Sequence, residues 1–345
     1  MGAPTSGSQL RRALSAALAI AVVVVVFAIA LPKIANYGDV WNTITAMTGW
    51  QVSILALGTL WNLVTFGPTW MAALPRLTYR QSIELTMAGT AVANIAPAGG
   101  PVSLGITWAM LREWGFERRA VTMAMVLTGI WNQVLNVGTP LVALALLALS
   151  GQRNLALERA AILGVVVLLV ALGVLASILK SDRLARWWGG RADQVVTPIR
   201  RRFGKGALFG SGVALARFRH DSLHLLKRRS LALTLTTAVG VMANYLVLYA
   251  ALRILGAKAD QVTGIEVFAA WSFVRLLTAI PITPGGLGII EIGLTGLLTG
   301  FGGAEAPVVG AVLLYRALTF VPPILCGLVA ALTWQRHQKR RVLAS

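Results

Sequence analysis

The sequence predicts an all-α polytopic membrane protein, with six full transmembrane helices plus two re-entrant helical hairpins in an inverted repeat. Three observations predict it. The 345-residue chain is 57% hydrophobic and 12% charged, the balance of a membrane-embedded protein rather than a soluble globule. Its apolar runs reach the ~20 residues that a bilayer crossing needs. Two of those runs are broken midway by matching segments, Asn94-Ile95-Ala96-Pro97-Ala98-Gly99-Gly100-Pro101 and Ile280-Pro281-Ile282-Thr283-Pro284-Gly285-Gly286-Leu287-Gly288.

The elements follow in order. Arg11 and Arg12 precede an apolar run to Leu31, so 12–32 reads as the first span. It is longer than the ~7–15-residue core of a signal peptide, so it is expected to stay uncleaved. Met1-Gly2 with Ser6 matches the myristoylation pattern, which a leader of small residues also produces by chance. The second span is 50–74, the first hairpin 82–112 and the third span 120–149. The same order recurs as span 160–179, span 231–255, hairpin 265–301 and span 306–334. The halves are 1–155 and 156–345, the second inverted relative to the first. Proline removes a helix donor and glycine loosens the backbone, so each break is a helix interruption. A membrane tolerates one only where protein or a water-filled cavity satisfies the freed backbone groups.

Charge orients the chain. Basic residues crowd the N-terminus, the 75–81 and 112–119 segments, the 180–230 loop and the tail. Loops 33–49, 150–158 and 256–264 are poor in them. With both termini in the cytoplasm, every basic loop lies inside, as the positive-inside rule asks. This holds if each broken segment returns to the side it came from. A bundle with two kinked spanning pairs also keeps both termini inside, so both topologies stand on charge alone. The net charge of +19 sits beside apolar spans rather than on a soluble basic face, which argues against nucleic acid as partner. The 180–230 loop mixes basic and apolar residues, as in Val195 to Phe203. It reads either as helices lying on an anionic leaflet or as a small cytoplasmic cap.

Ionisable residues inside spans mark function by default. Arg275 precedes the second break, Glu291 follows it and Arg316 lies in the last span. Glu84, Arg253 and Glu266 are nearer span ends. A helix N-terminus carries about half a positive charge and unpaired N–H groups. Two such tips meeting at mid-bilayer form an anion site. The candidate binding residues are Arg275, Glu291, Arg316, Asn94, Gly99, Gly100, Pro281, Pro284, Gly285, Gly286, Gly288, Asn132 and Gln133, with Asn136 beside them. An arginine fork suits phosphate. The alternative is that Glu291 pairs with Arg275 or Arg316 simply to hold the hairpin. Trp61, Trp108, Trp131 and Trp271 lie deep in their spans and read as packing residues.

Neither a cofactor nor a metal is expected. Cys326 is alone, and His220 and His224 share i, i+4 spacing without a ligand set around them. No nucleophile elbow, Walker loop or zinc-protease motif is present, so the chain is not expected to be an enzyme.

From Pro281 through Gly288 to Glu291, with Arg316 ahead of Pro322-Pro323 and Gly327, the chain resembles the lysylphosphatidylglycerol synthase/flippase-like transmembrane family. Asn94 to Gly100, followed by Arg112-Glu113-Trp114-Gly115, resembles that family's first hairpin. The resemblance covers about residues 10–335. It implies a flippase-like fold in the cytoplasmic membrane and movement of lipid-linked headgroups between leaflets. Aminoacylated phosphatidylglycerol and polyprenyl-phosphate sugars are the implied substrates. With the sequence ending at Ser345, no synthase activity is expected. Ala98 and Ser103 stand around the first break, where some relatives offer an arginine, which bears on the aminoacylated substrate. The competing expectation is a membrane scaffold or partner subunit for a separate cell-envelope glycosyltransferase or lipid synthase. An intramembrane enzyme acting on a lipid phosphate is the third, and lacks a catalytic histidine or carboxylate pair.

Overall fold

The computed structural model describes residues 45–95, 99–150, 180–202, 211–278 and 283–344, with a few isolated positions between. The predicted span 12–32 and the repeat boundary at 155/156 lie outside the described residues, and 160–179 does so save for isolated positions. Among the described residues the secondary structure is helical, without strands.

The first apolar stretch folds as α1 (Gly49–Val64) and α2 (Gly67–Ala73). Thr48 and Gln51 start it with reciprocal side-chain-to-backbone bonds of 2.8 and 3.4 Å, which satisfy donors the helix end would leave bare. It breaks because Pro68 cannot donate to the carbonyl of Val64. That carbonyl accepts instead from the Tyr79 hydroxyl at 2.8 Å.

Next come two arms, α3 (Tyr79–Ile95) and α4 (Gly99–Glu113). A Cβ on Gly89 would fall 3.0 Å from Ser103 Oγ, so the arms lie side by side and fold back across the break. Helix α5 (Arg118–Leu149) follows without interruption for 32 residues.

Helix α6 (Asp182–Arg202) packs on the long α7 (Ser211–Ile254). Arg253 at the end of α7 donates to Ala257 O and Val262 O at 2.7 and 2.6 Å, holding the turn into α8 (Gly264–Leu277). Glu266 caps the start of α8 through the Thr263 N–H at 2.6 Å. Both residues are therefore structural, and Glu84 pairs with Arg80 at 2.9 Å on the exposed side of α3.

The described part of the second break holds a tight turn at Pro284–Gly286. Gly285, Gly286 and Gly288 have φ of 59, 67 and 88°, a region where a Cβ is strained, and this explains three glycines in four positions. Helix α9 (Ile289–Gly300) folds back on α8, since a Cβ on Gly293 would fall 2.9 Å from a Val274 methyl. Helix α10 (Glu305–Ala344) then runs along α3. Gly327 permits that approach: a Cβ there would overlap the Met87 carbonyl and lie 2.5 Å from Ala91 Cβ.

Among the described residues, four stretches are long and apolar enough to cross a membrane: Gly49–Ala73, Arg118–Leu149, Arg229–Ile254 and Glu305–Gly327. They match the predicted spans 50–74, 120–149, 231–255 and 306–334. Their outer faces carry exposed Trp50, Leu57, Leu60, Val142, Leu231, Leu235 and Leu325. In water such a surface would aggregate; in hydrocarbon it is the ordinary outside of the protein. Trp61 and Trp108 are exposed on it too, 53% and 39%, so they pack outward rather than in the interior.

Among the described residues two apolar cores form. One gathers α2, α3, α4 and the start of α5 around Leu85, Met110 and Leu111. The other gathers α8, α9 and the start of α10 around Val267, Leu294 and Val312. Helix α7 contributes to both, with Leu233 in the first and Leu248 in the second. Each hairpin is therefore built into its own core, and the space left between the cores is where the polar residues collect.

Candidate functional site: a polar chamber between the hairpins

Six helices converge on a cavity of about 440 Å³. Helix α3 brings Asn94, α5 brings Asn132 and Asn136, α7 brings Asn244, α8 brings Arg275, and α10 brings Tyr315 and Arg316. The turn of the second break packs against the end of α3. A Cβ on Gly285 would fall 3.1 Å from Asn94 Oδ1. The turn of the second break thus meets the end of α3, the arm that leads into the first break, at one edge of the chamber.

The two arginines are treated differently. Arg316 Nε donates to Glu291 Oε1 at 2.8 Å, and its Nη2 to the Gly285 carbonyl at 2.8 Å. Glu291 is 0% exposed. Its other oxygen accepts the Gly288 N–H at 2.6 Å and so caps α9. The guanidinium of Arg316 also lies 5.0 Å from the Phe320 ring centre. One carboxylate therefore closes the turn, caps the helix and neutralises Arg316. The reading of Glu291 as the clamp of the second hairpin is the one its contacts support.

Arg275 has no carboxylate partner among the described residues. Its Nε donates to Asn136 Oδ1 at 2.5 Å, and its Nη2 reaches Asn132 Oδ1 at 3.5 Å. Gln133 supports this from behind, accepting from Asn136 Nδ2 at 2.9 Å. The Trp271 ring lies 5.3 Å below the guanidinium. Trp271 is itself 2% exposed and donates to Asn244 Oδ1 at 3.2 Å and Tyr315 Oη at 3.3 Å. Tyr315 in turn donates to Asn244 Oδ1 at 2.6 Å. Neutral amide oxygens and an aromatic face hold this cation in place while leaving its charge uncompensated.

A family model described as the lysylphosphatidylglycerol synthase TM region matches residues 14–327. The chain belongs to that family. Membership places it among membrane proteins of lipid or cell-envelope processes. No curated protein matches the chain.

Of the residues singled out in the sequence, Asn94, Asn132, Arg275 and Arg316 line the chamber. Asn136 lines it as well, and Gln133 stands one hydrogen bond behind. Gly285 offers its carbonyl to Arg316, Gly288 its N–H to Glu291, and Gly286 completes the turn. Pro284 opens that turn, while Pro281 lies outside the described residues. Gly99 and Gly100 are the first two residues of α4 itself rather than a linker before it. Sequence reading missed Asn244, Tyr315, Thr90, Thr278 and Thr319. A polar side chain inside an apolar helix was the available signal, but only helix rotation decides which of them face inward.

Proposed function

We propose that this protein is a flippase-like transporter that moves a lipid-linked anionic headgroup between the leaflets of the cytoplasmic membrane, without being an enzyme. One observation carries the reading: Arg275 faces a polar chamber with no carboxylate partner among the described residues, while its neighbour Arg316 is neutralised by Glu291. A desolvated charge is costly unless paired, and a phosphate is the partner an arginine fork fits best. The short arms agree. At ~1.5 Å per residue, helices of 17, 15, 14 and 12 residues span roughly 18–26 Å, less than the ~30 Å hydrocarbon core. In this reading the hairpins re-enter from opposite faces as halves of an inverted repeat, 1–155 and 156–345, with both termini cytoplasmic. The chamber then lies near mid-bilayer, where alternating access needs it.

The test is translocation in proteoliposomes, using headgroup-labelled phosphatidylglycerol in one arm and a polyprenyl-phosphate sugar in the other. The wild type is expected to move one of them, and Arg275→Gln to lower that rate at least tenfold. Arg183→Gln, on exposed α6, is expected to leave it unchanged. A wild type that moves neither lipid, or an Arg275→Gln variant at full rate, overturns the proposal.

A further inference from the structure

Beside the polar chamber lies a second cavity of about 350 Å³. The two share Asn132, Asn244 and Arg275. The second is walled by Phe66, Trp70, Leu104, Met125 and Val241, with five threonines among them. Those threonines are less polar than their number implies. The hydroxyls of Thr65, Thr86, Thr128 and Thr237 donate to carbonyls of their own chain stretch, Asn62, Ser82, Ala124 and Leu233, at 2.6–2.9 Å. With those protons committed, the hydroxyls of four of the five have no donor left for a ligand. Among the described residues of this wall, Arg275 at the boundary is the one charged group. Leu104, in the wall, is 56% exposed and continues the apolar outer surface of α4 through Val102 and Trp108. The cavity thus opens on the face of the protein that hydrocarbon covers.

We infer that this second chamber holds a hydrocarbon chain of the same lipid whose anionic group sits at Arg275. The inference rests on the headgroup reading above and adds the place of the tail. An amphiphile needs adjoining polar and apolar spaces with its phosphate at the seam. Arg275, Asn132 and Asn244 form that seam. The anion meets the guanidinium from the polar side while the chain leaves past Thr128 and Met125 towards Leu104.

Gly129 offers the test. It lines the second chamber, and a Cβ built there meets nothing within 4 Å, so a larger side chain grows into empty space. Gly138, nine residues along the same helix and outside both chambers, is equally open and serves as control. Two lipids are used, phosphatidylglycerol and a polyprenyl phosphate, each with a diazirine midway along its chain. Photolabelled peptides are mapped in the wild type, Gly129→Leu and Gly138→Leu. The wild type and Gly138→Leu are expected to be labelled over 125–132 and 237–244 by one of the lipids. Gly129→Leu is expected to cut that labelling at least tenfold at an unchanged unfolding midpoint. Should Gly129→Leu fold poorly, Leu104→Trp at the mouth gives the same reading. Labelling indifferent to both plugs, or absent from these segments with both lipids, overturns the inference. Lipid retention by Arg275→Gln separates the two proposals. If retention falls while the plugs do nothing, the tail site is wrong and the headgroup site stands. If the plugs exclude the chain while Arg275→Gln retains lipid, the headgroup site is wrong and the chamber remains a chain site.

Discussion

The two arginines of the chamber are expected to respond to substitution in opposite ways. Arg316→Ala removes the partner of a carboxylate that is 0% exposed, and leaves Glu291 with the Gly288 N–H alone. Breaking a buried pair from one side costs about 3–5 kcal/mol. The lost bond to the Gly285 carbonyl adds about 1 kcal/mol and frees the turn. Arg275→Gln also deletes a charge, but one with no acid opposite it among the described residues. Relief of an unpaired arginine in a span is worth about 2.5–3.5 kcal/mol on insertion scales. Against it stand the charged bond to Asn136, about 1.5–3 kcal/mol, and the Trp271 contact, about 0.5–2 kcal/mol. These nearly cancel, so Arg275→Gln is expected within about 1 kcal/mol of the wild type. The assay is equilibrium unfolding in mixed micelles, completed by Glu291→Leu and the Glu291→Leu/Arg316→Met double variant. The double variant is expected to be more stable than either single change at the pair, because it leaves no orphan charge. Additive losses at 291 and 316, or an Arg275→Gln loss as large as that of Arg316→Ala, would refute the reasoning.

Two further outcomes test the architecture. Gly327→Ala pushes a Cβ into the Met87 carbonyl on α3, so it is expected to lose about 1–3 kcal/mol as an overpacked contact. Gly105→Ala on α4, with nothing within 4 Å, is expected to gain up to about 1 kcal/mol in the same unfolding measurement. In a Cys326→Ser background, a fluorophore on Gly100→Cys or Leu287→Cys is expected to be quenched best by lipids labelled deep in the acyl chain. Strongest quenching by headgroup-labelled lipids at both sites would remove the re-entrant topology.

Much of the fold was legible because hydrocarbon imposes one-dimensional constraints. Length, apolarity and the absence of charge are properties of consecutive residues, so three of the four described spans fall within a few residues of their expected limits and the last ends at Gly327 rather than 334, while two of the helices run on beyond their spans, α7 back to Ser211 and α10 to Ala344. The second break was legible for the same reason. Three glycines in four positions after a proline announce positive φ, and Gly285, Gly286 and Gly288 all have it. What the sequence did not reveal depends on rotation about helix axes. The Pro68 break was missed because the apolar run continues through it and the freed carbonyl is satisfied from Tyr79, fifteen residues on. The split of roles between the arginines was invisible too. Glu291 lies sixteen residues from Arg275 and twenty-five from Arg316. Only the fold-back of α9 and its packing on α10 selects the more distant partner.

That selection explains why a single chamber needs two arginines. Arg316 is committed to closing the turn: it joins the carbonyl of Gly285 to the carboxylate that caps α9. Such a residue holds geometry and brings no net charge. With it in place the turn can press against Asn94, and the chamber acquires a wall from each hairpin. Arg275 stands on a rigid helix, braced by Trp271, Asn136 and Asn132, and remains a cation facing open space. A ligand that neutralises Arg275 lowers the cost of burying that charge. It leaves the Glu291–Arg316 clamp intact, because the clamp is already neutral. In the proposed transport cycle, binding and structural integrity would be carried by separate charges, so that the chamber could fill and empty without loosening the hairpin that forms it.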